Sequence, residues 1–309
     1  MIIGHKKQKE FLNKIAESKN FPHAILFYGQ EYLGKRALAI EFAQYLNCEG
    51  EARPCKVCKN CKDIENRTYP DFDLVEPEIS KKSIQISQIR ELIAKLSLYP
   101  YLSAFKIAII NDAHLMTLDA QNSFLKELEE PKGKTILILI TEYPEMLLPT
   151  VLSRLQKIRF STVDKTEIEN YLITQGVATQ MAKEFSFLSS GKPGIAINFL
   201  LNPEKIKNQK KLISDVVQIS NSEIGFRFKY AKNMSEEKEN IAEILDIWLR
   251  YFRSIFLSKL YKKEATKNFN EYSVSKLKKI IVNIQNTKFL ISTTNVNSKL
   301  AIENLLIKI

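Results

Sequence analysis

Four cysteines lie within fourteen residues in the spacing C-x6-C-x2-C-x2-C, and the chain has no others. A C-x2-C turn can present two sulfurs to one ion, and a tetrahedron of four thiolates suits zinc, with Zn–S distances of about 2.3 Å. The alternatives are two disulfides, which an oxidising compartment would favour, or four thiols without a ligand. Because four sulfurs leave no open coordination position, the spacing predicts a structural Zn2+ and not a catalytic one. The four ligands would be Cys48, Cys55, Cys58 and Cys61.

A second motif, GQEYLGKR, departs at its last position from the phosphate-loop pattern G-x4-G-K-[ST]. Gly29 and Gly34 would let backbone N–H groups turn toward a phosphate, and Lys35 could reach the terminal phosphates. Arg36 stands where a hydroxyl would bind Mg2+, and a guanidinium cannot ligate a metal. The motif therefore predicts either an anion site that binds ATP or ADP poorly, if at all, or a loop kept only as a strand-to-helix turn.

The apolar run that ends at Ile110 is followed by Asn111 and Asp112. In a nucleotide hydrolase this place carries Asp-Glu, where the Asp holds Mg2+ and the Glu polarises the attacking water. An amide is a poor Mg2+ ligand, and an aspartate is one methylene shorter than a glutamate. If Asp112 is instead aligned with the metal ligand, Ala113 follows it and the polarising carboxylate is missing. Either alignment predicts that one group essential for hydrolysis is absent.

Ser153 and Arg154 follow a short predicted helix at the end of the same half of the chain. An arginine presented to the phosphate of a neighbouring subunit can accelerate phosphoryl transfer by orders of magnitude. The simpler interpretation is a surface arginine at a helix end. Spacing alone leaves both interpretations open.

Alternating strand and helix patterns position these residues. Apolar runs of strand length separated by helical patterns are typical of a parallel sheet flanked by helices. Buried strands are predicted at Pro22–Tyr28, Lys106–Ile110 and Lys134–Thr141, with Tyr69–Val75 entering another, and helices at Lys6–Ser18, Ala37–Asn47, Ser83–Leu96 and Asp119–Glu130.

The rest of the chain is predicted to be helical. Three short helices are expected from Asp164 to about Leu201, interrupted at Ser189–Gly194, and helices again from Glu204 onward. Ile241–Phe256 is the most apolar of these helices and holds the only tryptophan. The polar segment Lys262–Ser275 is the predicted loop.

Composition places the chain among soluble proteins. It has 309 residues, of which 45% are hydrophobic and 26% charged, enough for two or three domains. It shows neither a signal peptide nor an apolar run approaching about 18 residues, so we expect a cytoplasmic protein without a membrane span. The net charge is +11, concentrated in the C-terminal third. Nucleic acid or an acidic partner surface would fit this charge, as would simple solvation of lysine-rich helices.

The phosphate-loop-like motif GQEYLGKR, the four-cysteine insertion after the next helix, NSFLKELEEP and the closing Ser-Arg occur in a fixed order. Together they resemble the bacterial clamp-loader subunits of DNA polymerase III, of the AAA+ group, over about Pro22 to Phe160. The motor subunits of that family, gamma and tau, keep an intact phosphate loop and an Asp-Glu pair. The stretches GQEYLGKR and NDAHLM instead resemble the delta-prime class, which keeps the fold and the zinc module without being an efficient ATPase.

The resemblance implies three regions. They are an AAA+ core at residues 1–162 with the zinc module at 48–61, a helical lid at 163–203 and a helical collar domain at 204–309 that holds an oligomer together. Ser153-Arg154 would correspond to the family's Ser-Arg-Cys motif, with Leu155 in place of the cysteine. The arginine of the lid that touches nucleotide in motor subunits would fall at Gly194.

The resemblance also implies partners. These would be gamma or tau and delta subunits in a pentameric arc, and through the assembled complex a sliding clamp and primed DNA. Arg154 would then reach ATP held by the adjacent motor subunit. Two other functions remain open from the residues: a self-sufficient ATPase of the gamma/tau type, and a zinc-dependent nucleic-acid-binding protein whose phosphate-loop motif is coincidental.

Overall fold

The computed structural model describes residues 2–18, 22–78, 82–100, 105–131, 133–236, 241–260, 272–294 and 296–309. The chain divides into two compact units, Met1–Ile197 and Asn198–Ile309. The predicted boundary between a core ending at 162 and a separate lid falls inside the first unit and stays a prediction.

The first unit is built on a five-stranded sheet in the order β2-β3-β4-β1-β5, in which every pairing is parallel. The central strands are buried on both faces, which explains their nearly continuous apolar runs. The strands are β1 Ala24–Tyr28, β2 Phe72–Val75, β3 Lys106–Ile110, β4 Thr135–Thr141 and β5 Gln156–Arg159. The three predicted buried strands and the strand entered from Tyr69 are thereby confirmed.

Strand β5 was not predicted. It has four residues at the edge of the sheet, and only Ile158 among them is buried. An edge strand of this kind carries charges and lacks an apolar run, so its sequence gives little sign of it.

Helices cover both faces of the sheet, with α1–α3 packing into one core and α4–α6 into the other. The predicted helices are confirmed to within a few residues, and the segment from Asp164 to Leu201 forms the three short helices expected. The helices that begin in this unit are α1 Lys6–Glu17, α2 Lys35–Asn47, α3 Lys59–Glu65, α4 Ile86–Ser97, α5 Leu118–Glu129, α6 Pro149–Leu152, α7 Lys165–Thr174, α8 Thr179–Ser189 and α9 Pro193–Leu201.

The second unit contains helices, as predicted. Trp248 is fully buried in its core and donates a hydrogen bond from Nε1 to Leu212 O at 3.1 Å. The helices are α10 Glu204–Ser220, α11 Ile224–Glu236, α12 Ile241–Leu260, α13 Val274–Thr293 and α14 Ser298–Lys308. The predicted loop Lys262–Ser275 lies mostly outside the described residues, and α13 already begins at Val274. Across the described part of the chain, no helix combines the length and apolarity needed to cross a bilayer.

Candidate functional site

The four cysteines form one cluster, with all four Sγ atoms within 4.8 Å of one another. Cys48 is the C-cap residue that follows α2, Cys58 caps the N-terminus of α3, and Cys61 lies in the first turn of α3. The loop between α2 and α3 therefore supplies three of the ligands, and the first turn of α3 supplies the fourth, Cys61. None of the four cysteines forms a disulfide.

Backbone N–H groups point at the sulfurs. Gly50 N and Cys55 N each lie 3.3 Å from Cys48 Sγ, and Cys58 N lies 3.3 Å from Cys55 Sγ. Donation by the N–H groups of Cys58 and Val57 lowers the pKa of the Cys55 thiol to about 6, whereas burial raises the pKa of Cys61 to about 12. N–H donors stabilise thiolates, and a buried thiolate needs a positive charge beside it. Four soft ligands so arranged fit one metal ion.

Glu41 forms ion pairs that connect the cysteine loop, residues 48–58, to the neighbouring helices. This nearly buried carboxylate on α2 accepts from Lys9 Nζ of α1 at 2.6 Å and from Lys56 Nζ of the loop at 3.1 Å. The two ammonium groups hold the pKa of Glu41 below its usual value, although burial opposes them. One carboxylate thus ties the cysteine loop to α1 and α2.

The phosphate-loop motif has the strand, loop and helix context that the sequence predicted, but its lysine is bound to the loop itself. Lys35 Nζ donates to Gly29 O at 2.5 Å and to Gln30 O at 2.6 Å. Burial lowers the pKa of Lys35 to about 8, while the carboxylates of Glu142, Glu31 and Asp112 partly oppose that shift. A phosphate entering the loop would have to break both hydrogen bonds and would meet these carboxylates.

Arg36 forms an ion pair with the carboxylate of Glu76. Its Nη2 atom lies 3.2 Å from Glu76 Oε1, and the other Glu76 oxygen lies 2.8 Å from Arg67 Nη1. The residue that replaces the magnesium-binding hydroxyl is thereby part of a surface ion-pair network just beyond β2.

Asn111 and Asp112 stand at the end of β3, within electrostatic range of the loop. Asn111 Nδ2 donates to Asp112 Oδ2 at 3.0 Å, so the amide is bound to the neighbouring carboxylate. Burial raises the pKa of Asp112, with a further rise from Glu31 and an opposing effect of Lys35. The structure thus brings together the two motifs that the sequence analysis considered damaged.

Two further segments contact the loop. His5 Nε2 lies 2.7 Å from Leu33 O, and Gly194 N donates to Tyr32 O at 2.9 Å. A Cβ on Gly194 would lie 3.1 Å from Tyr32 O and 3.2 Å from Tyr32 Cα and Cβ, tighter than ordinary contacts. Gly194, which the resemblance alone aligns with the lid arginine, therefore packs directly against the loop.

Arg154 lies two residues after α6, and its side chain is one-third exposed. Nη1 donates to Thr150 O at 2.7 Å and to Ser153 Oγ at 3.3 Å, and Nη2 donates to Glu129 Oε1. The sequence analysis found Ser153 and Arg154 but not Glu129. It also missed Glu41 and Glu76, since a single glutamate has no spacing that identifies its partner.

Comparisons with known proteins agree on a family. A family model described as "DNA polymerase III, delta subunit" matches residues 4–164. DNA polymerase III subunit delta' of Bacillus subtilis is 33% identical over 268 residues, covering 82% of this chain and 80% of that protein. DNA polymerase III subunit tau of the same organism is 27% identical over 305 residues, covering 88% of this chain and 54% of that protein.

The fold is similar to a solved structure as well. A DNA polymerase III gamma subunit-related protein from Thermotoga maritima superposes with a TM-score of 0.50 at 21% identity, over 97% of each chain. At this identity the similarity concerns the fold. Because the family model covers more than half of the chain and a delta' subunit is one-third identical over most of it, the chain belongs to the DNA polymerase III delta' family.

Proposed function

We propose that this chain is a clamp-loader subunit that does not hydrolyse ATP itself and supplies Arg154 to the ATP site of a neighbouring gamma/tau-type subunit. The contacts that Lys35 and Arg36 of the phosphate-loop motif make within the chain support the proposal. Lys35 is bound to the loop's own carbonyls and Arg36 to Glu76. Neither residue offers an oxygen to Mg2+, and Asn111 and Asp112 do not replace the Asp-Glu pair that hydrolysis requires.

The proposed partners are gamma or tau and delta subunits. Similarity to both a delta' and a tau protein supports a place in one complex with such subunits. A sliding clamp and primed DNA would be engaged through the assembled complex. The helices of the second unit would form the collar that holds the subunits together.

A structural Zn2+ is proposed for the cysteine cluster. The donor set supports zinc because four thiolates with N–H donors directed at their sulfurs leave no open position for substrate. Bound there, the ion would stabilise the fold of residues 48–61.

Arg154→Ala tests the role in trans. A clamp loader reconstituted with this variant should assemble normally and hydrolyse ATP at least tenfold more slowly in the presence of clamp and primed DNA, because arginines acting in trans contribute about 10³-fold or more in related phosphoryl transfers. The matched control is Arg159→Ala, which removes an exposed arginine on β5. Unchanged hydrolysis by the Arg154→Ala complex would refute the role in trans.

A further inference from the structure

Glu129 is the one carboxylate that contacts Arg154 among the described residues. It is the last residue of α5, and its side chain is about half exposed. An acidic residue is unfavourable at a helix C-terminus, where the helix dipole is negative and a cation is preferred. Glu129 therefore costs α5 some stability, which the guanidinium of Arg154 offsets. A local conflict of this kind is typical of functional positions.

The contacts of Arg154 fix its guanidinium from two sides. Thr150 O and Ser153 Oγ both accept from Nη1, and Glu129 Oε1 accepts from Nη2. A guanidinium has five N–H donors. Across the described ranges, Nε makes no hydrogen bond, and Nη2 has one acceptor for its two N–H groups. Arg154 therefore keeps N–H donors that a phosphate oxygen could accept from.

We propose that Glu129 is a positioning residue that orients Arg154 for a phosphate in the neighbouring subunit. This inference rests on the proposed function of Arg154. Thr150 and Ser153 lie within four residues of Arg154 in sequence and anchor only Nη1. Glu129 comes from another helix and restrains Nη2, so it limits rotation about the Cγ–Cδ and Cδ–Nε bonds that orient the guanidinium. Less side-chain entropy is then lost when the arginine meets the transition state.

The expected effect of Glu129→Ala is modest and specific. The ion pair is partly exposed, and such pairs are worth a factor of about two to five. A phosphate contact that strengthens in the transition state affects kcat more than KM. The reconstituted complex should therefore show kcat for ATP hydrolysis about two- to fivefold lower, with KM for ATP unchanged.

Two controls separate positioning from folding. Glu130→Ala removes the next carboxylate along the chain, which has no described bond to Arg154, and should behave as the wild type. Glu129→Gln keeps an oxygen acceptor for Nη2 and should retain a kcat between those of the wild type and Glu129→Ala. Assembly of each complex is checked by size-exclusion chromatography, and Glu129→Gln remains informative if Glu129→Ala does not fold.

The double variant Glu129→Ala/Arg154→Ala decides whether Glu129 acts through Arg154. It should have the same kcat as Arg154→Ala alone. The inference is overturned if the kcat of Glu129→Ala equals that of Glu130→Ala, or if Glu129→Ala raises kcat. It is also overturned if Glu129→Ala lowers kcat by the same factor in the Arg154→Ala background as in the wild type. If Arg154→Ala does lower kcat, these results overturn only the role of Glu129, and the proposed role of Arg154 stands. An Arg154→Ala complex as active as the wild type would overturn both proposals, since no arginine would need positioning.

Discussion

At the scale of single residues, the phosphate-loop motif contains a buried charge, the ammonium of Lys35. Lys35 is only 8% exposed, and the hydrogen bonds of its ammonium go to two carbonyls of its own loop. The surrounding carboxylates do not fully compensate its desolvation, as the lowered pKa indicates. A charged lysine held in this way opposes folding at neutral pH.

Lys35→Met should therefore raise the free energy of unfolding above that of the wild type, and this increase should be larger at pH 7 than at pH 9.5. Below pH 8, about the pKa of Lys35 in the folded chain, the wild-type ammonium is charged in both the folded and the unfolded chain. Folding then carries the full free-energy cost of burying this charge. Between about pH 8 and the reference value of 10.5, the unfolded chain binds more protons, so wild-type stability rises with pH. The advantage of methionine should shrink by about 2 kcal/mol between pH 7 and pH 9.5.

Urea unfolding at the two pH values measures this difference. Lys126→Met is the matched control, because it removes an exposed ammonium on α5 that stays hydrated. An advantage of Lys35→Met that is equal at both pH values would mean that the Lys35 ammonium carries no burial cost.

At the scale of elements, apolar runs long enough to be buried on both faces predicted β1, β3 and β4, and the cysteine spacing predicted a four-sulfur cluster. What the sequence did not predict depends on contacts between distant elements. Arg36 was recognised as a substitution, but its partner Glu76 lies forty positions away, and Glu129 is twenty-five positions from Arg154. Strand β5 is recognisable only through its pairing with β1.

The cysteine cluster joins the end of α2 to the start of α3. Cys58→Ser should abolish metal binding while leaving α3 capped. The Cys58 side chain accepts a hydrogen bond from Cys61 N as the N-cap of α3. Serine is a strongly preferred N-cap residue, so the substitution removes a sulfur ligand without removing the cap.

Metal analysis of the purified proteins should give one zinc per wild-type chain and none for Cys58→Ser. A chelator should lower the thermal stability of the wild type and leave that of Cys58→Ser unchanged, since binding to the folded state alone stabilises it. A variant that keeps its zinc, or a wild type purified without metal, would contradict the proposed site.

At the scale of the whole molecule, a fold similar to that of a gamma subunit-related protein is combined with a phosphate-loop motif in which Lys35 and Arg36 are bound to other groups of the chain. The purified chain alone should therefore hydrolyse Mg-ATP no faster than its Lys35→Ala variant, as measured by phosphate release. That variant is the matched control because any turnover at this loop would require Lys35 to contact the phosphates. Phosphate release by the wild type that Lys35→Ala abolishes would show a working ATPase site and would favour the gamma/tau-type function.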